Sequence, residues 1–215
     1  AALPFLVNAG IQNAGQTCSA GSRILVERSR FDEVVERLAQ RVRALKVGPA
    51  LADLDLGPLI SKRQHEIVSH YLGLARDAGL SIAAQGEIVD SAPAGGFYVR
   101  PTLVAAVPAA HALAQEEIFG PVQVVIAFDD EADALRIANA TRFGLVAGVW
   151  TRDGSRALRM ARALRSGQVF INNYGAGGGV ELPFGGVGAS GHGREKGFEA
   201  LYGFSALKTV AILHG

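Results

Sequence analysis

The sequence has a single cysteine among its 215 residues, and only one methionine and one tryptophan. One cysteine excludes an internal disulfide and a zinc site built from several thiolates, so a reducing compartment, the cytoplasm, is expected. Lysine plus arginine (21) nearly cancels aspartate plus glutamate (20) without a basic patch, which argues against nucleic acid or a membrane surface as a partner. No apolar run is long enough to span a membrane.

Hydrophobic residues make up 49% of the chain, which at this length allows a large buried core. Their spacing predicts helices after Ser29, from residues 61 to 78, after Asp130 and from 155 to 165, with Ser29 and Asp32 as a capping box. Runs typical of strands lie between them, at residues 23–27, 81–84, 122–128, 145–151 and 168–172. This alternation predicts an α/β fold, with an open, mostly parallel twisted sheet flanked by helices.

Two long stretches rich in glycine or proline interrupt the alternation, at residues 46–60 and 173–197. The second holds ten of the 27 glycines, and loops of this length inside a compact domain are usually functional. The apolar residues 206–213 predict one more strand, which could pair with the edge of another sheet.

Two patterns resemble known sites but lack the required context. Residues 186–191 match a dinucleotide-binding fingerprint, but no strand precedes them and too few residues follow. His65 and His70 are five residues apart, so on one helix they point about 140° apart and cannot bind one metal. Neither pattern predicts a site.

The only cysteine, Cys18, lies among small and turn-forming residues just ahead of the predicted strand at 23–27. A tight turn or a short helix there would expose backbone N–H groups that favour a thiolate and could stabilise an oxyanion. A lone cysteine is otherwise most often a small buried hydrophobe. The residues by themselves therefore indicate a candidate nucleophile for a carbonyl group.

Four segments resemble, in order, the motifs of the aldehyde dehydrogenase superfamily. They are NAGQTC at 13–18, EEIFGPV at 116–122, ELPFGGVG with SGHGRE at 181–195, and LKTV at 207–210. The resemblance implies a cysteine-bearing catalytic domain at residues 1–205 and a C-terminal oligomerisation strand at 206–215.

The resemblance also implies a role for each matching residue. Cys18 would attack an aldehyde to give a thiohemiacetal, pass hydride to NAD or NADP, and release the acid by hydrolysis of a thioester. Glu117 would bind the nicotinamide ribose, Phe119 would lie near the nicotinamide, and Glu195 would relay protons. The residues expected along the substrate channel are Thr17, Ser19, Tyr174 and Phe184.

Simpler roles stay open for several of these residues. Glu117 could be an exposed carboxylate near a turn, and Phe119 a core aromatic residue. Glu195 could begin a helix, where a carboxylate is favourable. Tyr174 and Phe184 could be packing residues.

Several parts of the family pattern are not found in the sequence: the general-base glutamate, the oxyanion asparagine, the cofactor-binding domain and an N-terminal dimerisation strand. We therefore expect the chain to be a catalytic half that is inactive alone, from a homo-oligomer (dimer or tetramer) that oxidises a small aldehyde. One alternative is an acylating semialdehyde dehydrogenase, which transfers the thioester to coenzyme A, or a relative of glutamyl phosphate reductase. Another is a non-catalytic oligomerisation or binding module.

Overall fold

The computed structural model describes residues 1–175 and 179–215. Helices and strands alternate along these residues, as the sequence predicts for an α/β fold. The helices are α1 (Leu3–Ile11), α2 (Phe31–Arg43), α3 (Lys62–Asp77), α4 (Ala112–Gln115), α5 (Glu131–Asn139), α6 (Gly154–Ala163) and α7 (Glu199–Gly203). The strands are β1 (Arg23–Glu27), β2 (Lys46–Val47), β3 (Ser81–Gln85), β4 (Glu87–Ile88), β5 (Thr102–Ala105), β6 (Val122–Phe128), β7 (Val146–Val149) and β8 (Gln168–Ile171).

The main sheet has the strand order β1-β6-β5-β3. Strands β1 and β5 both pair in parallel with β6, whereas β3 runs antiparallel to β5 along the edge. Two further parallel pairs, β2 with β4 and β7 with β8, form separate small sheets. The mostly parallel arrangement predicted from the sequence is confirmed, but the strands are divided among three sheets.

Strand β6 lies at the centre of the main sheet and is covered on both faces. Its residues Val122, Val124 and Val125 are almost completely buried, as expected for a parallel strand between layers of helices. Helix α2 contributes Leu38 and α3 contributes Val68 to the same core. The core therefore supports β1, the strand that follows the cysteine segment.

Helix boundaries follow local capping chemistry in most cases. The side chain of Ser61 accepts a hydrogen bond from the Gln64 amide at the start of α3, and Gly79 takes the left-handed conformation after its end. The predicted capping box at Ser29 is wrong. Residues Arg28–Arg30 form a 3-10 turn, and the Ser29 hydroxyl instead donates a hydrogen bond to Glu27.

Several elements differ from the sequence predictions. Helices α1, α4 and α7 and strands β2, β4 and β5 were not expected, and β2 lies in the stretch 46–60 that was predicted as a loop. Strand β5 is only four residues long and directly follows Pro101. Residues 205–215 form no strand in this chain and are exposed. Their pairing with a sheet edge of another copy stays a prediction, because a single chain does not provide that edge. Part of the predicted long loop, residues 176–178, lies outside the described residues.

Candidate active site

The cysteine segment begins with an unusual run of left-handed backbone. After α1, the φ angles of Asn13, Ala14 and Gly15 are 52°, 54° and 73°. Left-handed conformations are unfavourable for residues other than glycine, so the surrounding structure must hold them. The Asn13 side chain donates to the Gln16 carbonyl (3.0 Å) and the Gln16 side chain donates to the Asn13 carbonyl (3.1 Å). These reciprocal bonds stabilise the bend that precedes Cys18.

Gly15 also brings two distant segments into contact. A Cβ atom on Gly15 would lie 2.2 Å from the carbonyl carbon and oxygen of Gly120. Only a residue without a side chain allows this approach, and the positive φ angle favours glycine as well. The cysteine segment and residues 116–122 therefore pack backbone to backbone.

Cys18 lies on a tight turn, one of the two conformations that the sequence allowed. The Ala20 amide donates to the Thr17 carbonyl (3.1 Å), and no helix begins at Cys18. The Cys18 side chain is exposed, whereas Ser19 is buried. No helix N-terminus therefore faces the thiol in this chain, and the backbone N–H groups of the turn are candidate oxyanion donors.

Cys18 and Glu117 line one cleft, with a volume of about 340 Å³. The other lining residues are Phe143, Leu145, Ala189, Ser190 and Gly191. Within the described parts of the chain, the Glu117 carboxylate is exposed and has no hydrogen bond or ion pair. The thiol and an uncommitted carboxylate thus face the same space, on two segments joined through Gly15.

The neighbouring carboxylate, Glu116, is used differently. It accepts a hydrogen bond from the Tyr71 hydroxyl at 2.6 Å. Burial and this hydrogen bond to a carboxylate raise the pKa of Tyr71 to about 12. Two adjacent glutamates therefore have separate roles, because Glu116 anchors the segment to α3 while Glu117 projects into the cleft.

Phe119 has a left-handed backbone (φ 56°) and its side chain is 38% exposed, so it is not a core residue. Its carbonyl accepts a hydrogen bond from Gln64 Nε2 (2.8 Å), which also donates to the Ile118 carbonyl (2.9 Å). Gln64 is itself positioned in the first turn of α3 by Ser61. Gln64 was not predicted as a site residue, because a polar residue at a helix start has many simpler explanations.

Tyr174, three residues after the end of β8, contacts the turn that carries Cys18. Its hydroxyl donates to the Ser19 carbonyl at 2.8 Å, and burial raises the pKa of Tyr174 to about 12. Tyr174 also lines a second cavity of about 500 Å³ with Phe5, Asn8, Gln12, Asn13 and Asp55 among its other walls. This cavity lies beside the cysteine segment and does not include Glu117.

The raised pKa of Tyr174 predicts a loss of stability at high pH. The folded state holds the phenol proton from about pH 10 up to about pH 12, whereas the unfolded chain releases it near pH 10. The free energy of unfolding should therefore be unaffected below pH 10 and fall by about 2 kcal/mol as the pH rises towards 12. We expect Tyr174→Phe to remove this fall, at a cost of about 1 kcal/mol at neutral pH from the lost hydrogen bond.

Urea unfolding followed by circular dichroism at about pH 8 and about pH 11 measures both effects. Tyr202→Phe is the matched control, because the Tyr202 side chain is 80% exposed. An equal pH dependence in wild type and Tyr174→Phe would contradict the assignment. Tyr71 is present in all three proteins, so its contribution cancels in the comparison.

Glu195 and Phe184 lie elsewhere in the glycine-rich region. Their backbones form an isolated antiparallel bridge, with bonds of 2.7 and 2.8 Å, and the Phe184 ring lies 5.4 Å from Lys196 Nζ. No helix begins at Glu195, so it is not a helix-start carboxylate. Neither side chain lines the Cys18 cleft in this chain, and their catalytic and channel roles stay predictions.

Comparison with known proteins assigns the chain to a family. The model of the aldehyde dehydrogenase family matches residues 1–210. The chain belongs to the aldehyde dehydrogenase family. A betaine aldehyde dehydrogenase from Mesorhizobium japonicum is 42% identical over 205 residues, which cover 94% of this chain and 42% of that protein. The chain therefore spans about two fifths of the length of the curated relatives it matches.

Solved structures share this fold. A candidate aldehyde dehydrogenase from Burkholderia cenocepacia is 62% identical, with a TM-score of 0.97 over 100% of this chain and 45% of that one. Betaine aldehyde dehydrogenase from Staphylococcus aureus, solved in complex with NAD⁺, is 36% identical, with a TM-score of 0.88 over 94% of this chain and 40% of that one. Their agreement confirms the predicted α/β fold.

The structure adds cleft residues that the family motifs did not single out. The Ser190 hydroxyl accepts a hydrogen bond from the Gly144 amide (3.1 Å), and the Ala189 amide donates to the Arg142 carbonyl (2.8 Å). These bonds join the glycine-rich segment to the loop before β7, which places Phe143 and Leu145 in the cleft wall. The sequence motif at 190–195 indicates the glycine-rich segment but not its contact with the loop before β7, because that loop carries no recognised family motif.

The two motif-like patterns in the sequence have the following local structures. Residues Gly188–Ser190 form a single 3-10 turn with no strand directly before them, which is not a nucleotide-binding loop. Among the described residues, no cluster of histidine, cysteine, aspartate or glutamate could hold a metal ion. Across the same residues, every helix is too short or too polar to cross a membrane.

Proposed function

We propose that this chain supplies the nucleophile of an NAD(P)⁺-dependent aldehyde dehydrogenase that oxidises an aldehyde to a carboxylic acid. The single observation that carries the proposal is the shared cleft of Cys18 and Glu117. The reaction needs a nucleophile at the aldehyde carbon and a group that holds the cofactor near it, and this cleft contains a candidate for each. Family membership, which rests on residues 1–210, supports the same reaction class.

In the proposed reaction, the Cys18 thiolate attacks the aldehyde carbon and a thiohemiacetal forms. A backbone N–H of the turn at residues 17–20 stabilises the oxyanion while the C–S bond forms. Loss of hydride from this carbon leaves a thioester, and attack by water releases the carboxylic acid and restores the thiol. Covalent catalysis of this kind replaces one difficult step with two easier ones.

Glu117 fits the binding of a nicotinamide cofactor. An ionised carboxylate offers only acceptors, which suits the paired hydroxyl groups of a ribose, and Glu117 has no competing partner among the described residues. Phe119, two residues along the same segment, presents a partly exposed ring. When bound, NAD⁺ or NADP⁺ accepts the hydride, and the NAD⁺ complex of the Staphylococcus aureus relative supports NAD⁺.

The second cavity is the proposed place for the far end of the aldehyde. Asn13 of the cysteine segment lines it, Glu117 does not, and Tyr174 connects it to the Cys18 turn through the Ser19 carbonyl. Its walls combine the amides of Asn8 and Gln12 with the Asp55 carboxylate. These groups favour an aldehyde with a polar or cationic end over a purely aliphatic one.

We further propose that the enzyme acts in the cytoplasm as a homo-oligomer. The support for the oligomer is the exposed apolar C-terminal segment, in which Leu207 and Leu213 are almost fully exposed. A contiguous exposed apolar segment of this kind usually marks a surface that another protein covers. The proposed partner is the sheet edge of a second copy.

The role of Glu117 is tested by Glu117→Gln in the complete enzyme. The neutral amide loses the charge that strengthens hydrogen bonds to ribose hydroxyls, so we expect the KM for NAD⁺ to rise by roughly tenfold or more. The KM for the aldehyde should change much less. Initial rates of NADH formation at varied NAD⁺ concentrations measure this effect.

Glu116→Gln is the matched control, because it removes the adjacent carboxylate that contacts Tyr71 and does not line the cleft. We expect the KM for NAD⁺ of this variant to stay within about twofold of wild type. If the two substitutions raise the KM for NAD⁺ equally, Glu117 makes no specific contact with the cofactor. A requirement for coenzyme A in the wild-type reaction would instead assign the acylating branch.

A further inference from the structure

The central strand β6 contains one polar residue among apolar ones, Gln123, and its side chain is 3% exposed. Its amide nitrogen donates to the Gly21 carbonyl (2.7 Å) and to the Leu6 carbonyl (2.8 Å). Burying a carboxamide is unfavourable unless it is hydrogen-bonded, and an apolar side chain would suit the pattern of the strand. The presence of glutamine here is therefore explained by its two backbone partners.

Gly10, in α1, makes room for this side chain. A Cβ atom on Gly10 would lie 2.2 Å from Cδ and 2.4 Å from Nε2 of Gln123. Glycine inside a helix is unfavourable relative to alanine, because it leaves more backbone freedom to lose on folding. The close passage of the Gln123 amide over the helix accounts for glycine at this position.

The two carbonyls that Gln123 holds lie on either side of the cysteine segment. Leu6 belongs to α1, which leads into the segment, and Gly21 lies just after the Cys18 turn. The Gly21 amide in turn donates to the Ala9 carbonyl at 2.8 Å. Both peptide groups of Gly21 are thus held against α1 and β6, so the exit of the turn has a defined position.

We propose that Gln123 is a positioning residue for Cys18, which rests on the nucleophilic role proposed above. It ties helix α1, which precedes the cysteine segment, and Gly21, which follows the Cys18 turn, to the central strand and so directs the thiol into the cleft shared with Glu117. Gly15 locates the segment before the turn by its contact with Gly120. Gln123 locates the segment after the turn.

The test uses acetylation of this chain by p-nitrophenyl acetate, which needs no cofactor. The Cys18 thiol first loses its proton to the buffer; the thiolate then attacks the ester carbonyl, an acetyl thioester forms, and p-nitrophenolate leaves. The burst of nitrophenolate gives the maximal acylation rate and the half-saturating ester concentration, and mass spectrometry of peptides confirms Cys18 as the site. Rates are measured in conditions where each variant remains folded.

The main comparison is Gln123→Met against Gln115→Met. Methionine has a similar length and cannot donate a hydrogen bond. Gln115 also donates from its side-chain amide to a backbone carbonyl, that of Ala109, but lies outside the cysteine segment. We expect Gln123→Met to lower the maximal acylation rate by roughly tenfold, since small displacements of a reacting group have large effects on rate. Gln115→Met should stay within about twofold, although both variants should lower the midpoint of urea unfolding.

Gly10→Ala provides a second variant that keeps the glutamine. The added methyl group displaces the Gln123 amide, whereas alanine itself favours the helix. We expect a slower acylation with a smaller loss of stability than in Gln123→Met. In the double variant the two effects on rate should not add, because both act through the same amide.

The outcomes separate this proposal from the one on which it rests. If wild type is acetylated at Cys18 and Gln123→Met reacts as fast as Gln115→Met, the positioning role is wrong and the nucleophilic role stands. If wild type is not acetylated at Cys18, the nucleophilic role is overturned, and the positioning role with it. A rate loss in Gly10→Ala and Gln123→Met, without a rate loss in Gln115→Met, supports the proposal.

Discussion

Replacing Cys18 with serine in the complete enzyme is expected to lower kcat for aldehyde oxidation by roughly four orders of magnitude or more. Serine preserves the size of the side chain and the turn, but its hydroxyl is a far weaker nucleophile without an adjacent base. Binding of NAD⁺ should be unchanged, because Glu117 and Phe119 are intact. Steady-state NADH formation measures the loss, and quenching of protein fluorescence by added NAD⁺ measures binding.

The same substitution can also be tested in the isolated 215-residue chain. We expect the wild-type chain to accept an acetyl group at Cys18, and the Cys18→Ser chain to accept none there. Neither should form NADH from an aldehyde and NAD⁺, because the chain spans only about two fifths of its relatives and the cofactor-binding part is proposed to lie outside it. NADH production by the chain alone would contradict that expectation, and normal turnover by the complete Cys18→Ser enzyme would remove Cys18 from the mechanism.

Gly15→Ala is expected to destabilise the chain by about 3–5 kcal/mol, from backbone overlap and an unfavourable left-handed alanine. The added Cβ would meet the Gly120 carbonyl at 2.2 Å, and neither backbone is free to move without disturbing the other. Because this contact holds the cysteine segment against residues 116–122, acylation of Cys18 should also slow by roughly a hundredfold in the protein that still folds.

The matched control is Gly79→Ala at the end of α3. Gly79 also has a left-handed backbone (φ 64°), but a Cβ atom there would have nothing within 4 Å. We expect a loss of only about 1 kcal/mol and an unchanged acylation rate. Urea unfolding and the ester assay give both quantities. If the two variants lose similar amounts of stability, left-handed strain, rather than the Gly15–Gly120 contact, dominates the destabilisation.

The sequence predicted most elements of the fold because their signals are local. The strands at Arg23–Glu27 and Val122–Phe128 have the predicted bounds, since each is a short apolar run between clear breaks. Strand β5 was missed because only four residues follow Pro101 before the chain turns away. Helix α1 was missed because its apolar residues are not separated into faces, so periodicity did not distinguish it.

The sequence by itself determined the candidate nucleophile, because a lone cysteine among turn-forming residues is a local pattern. It left open whether a tight turn or a short helix carries that cysteine, and the structure has the turn. It also determined the candidate cofactor carboxylate, through a motif whose residues are consecutive. Only the tertiary structure decided that Cys18 and Glu117 face one cleft, and that Glu116 is instead bound to Tyr71. The roles of Gly15, Gly10 and Gln123 depend on backbone and side-chain contacts between segments far apart in the chain. No local pattern encodes such contacts, because they arise only when the central strand brings those segments together.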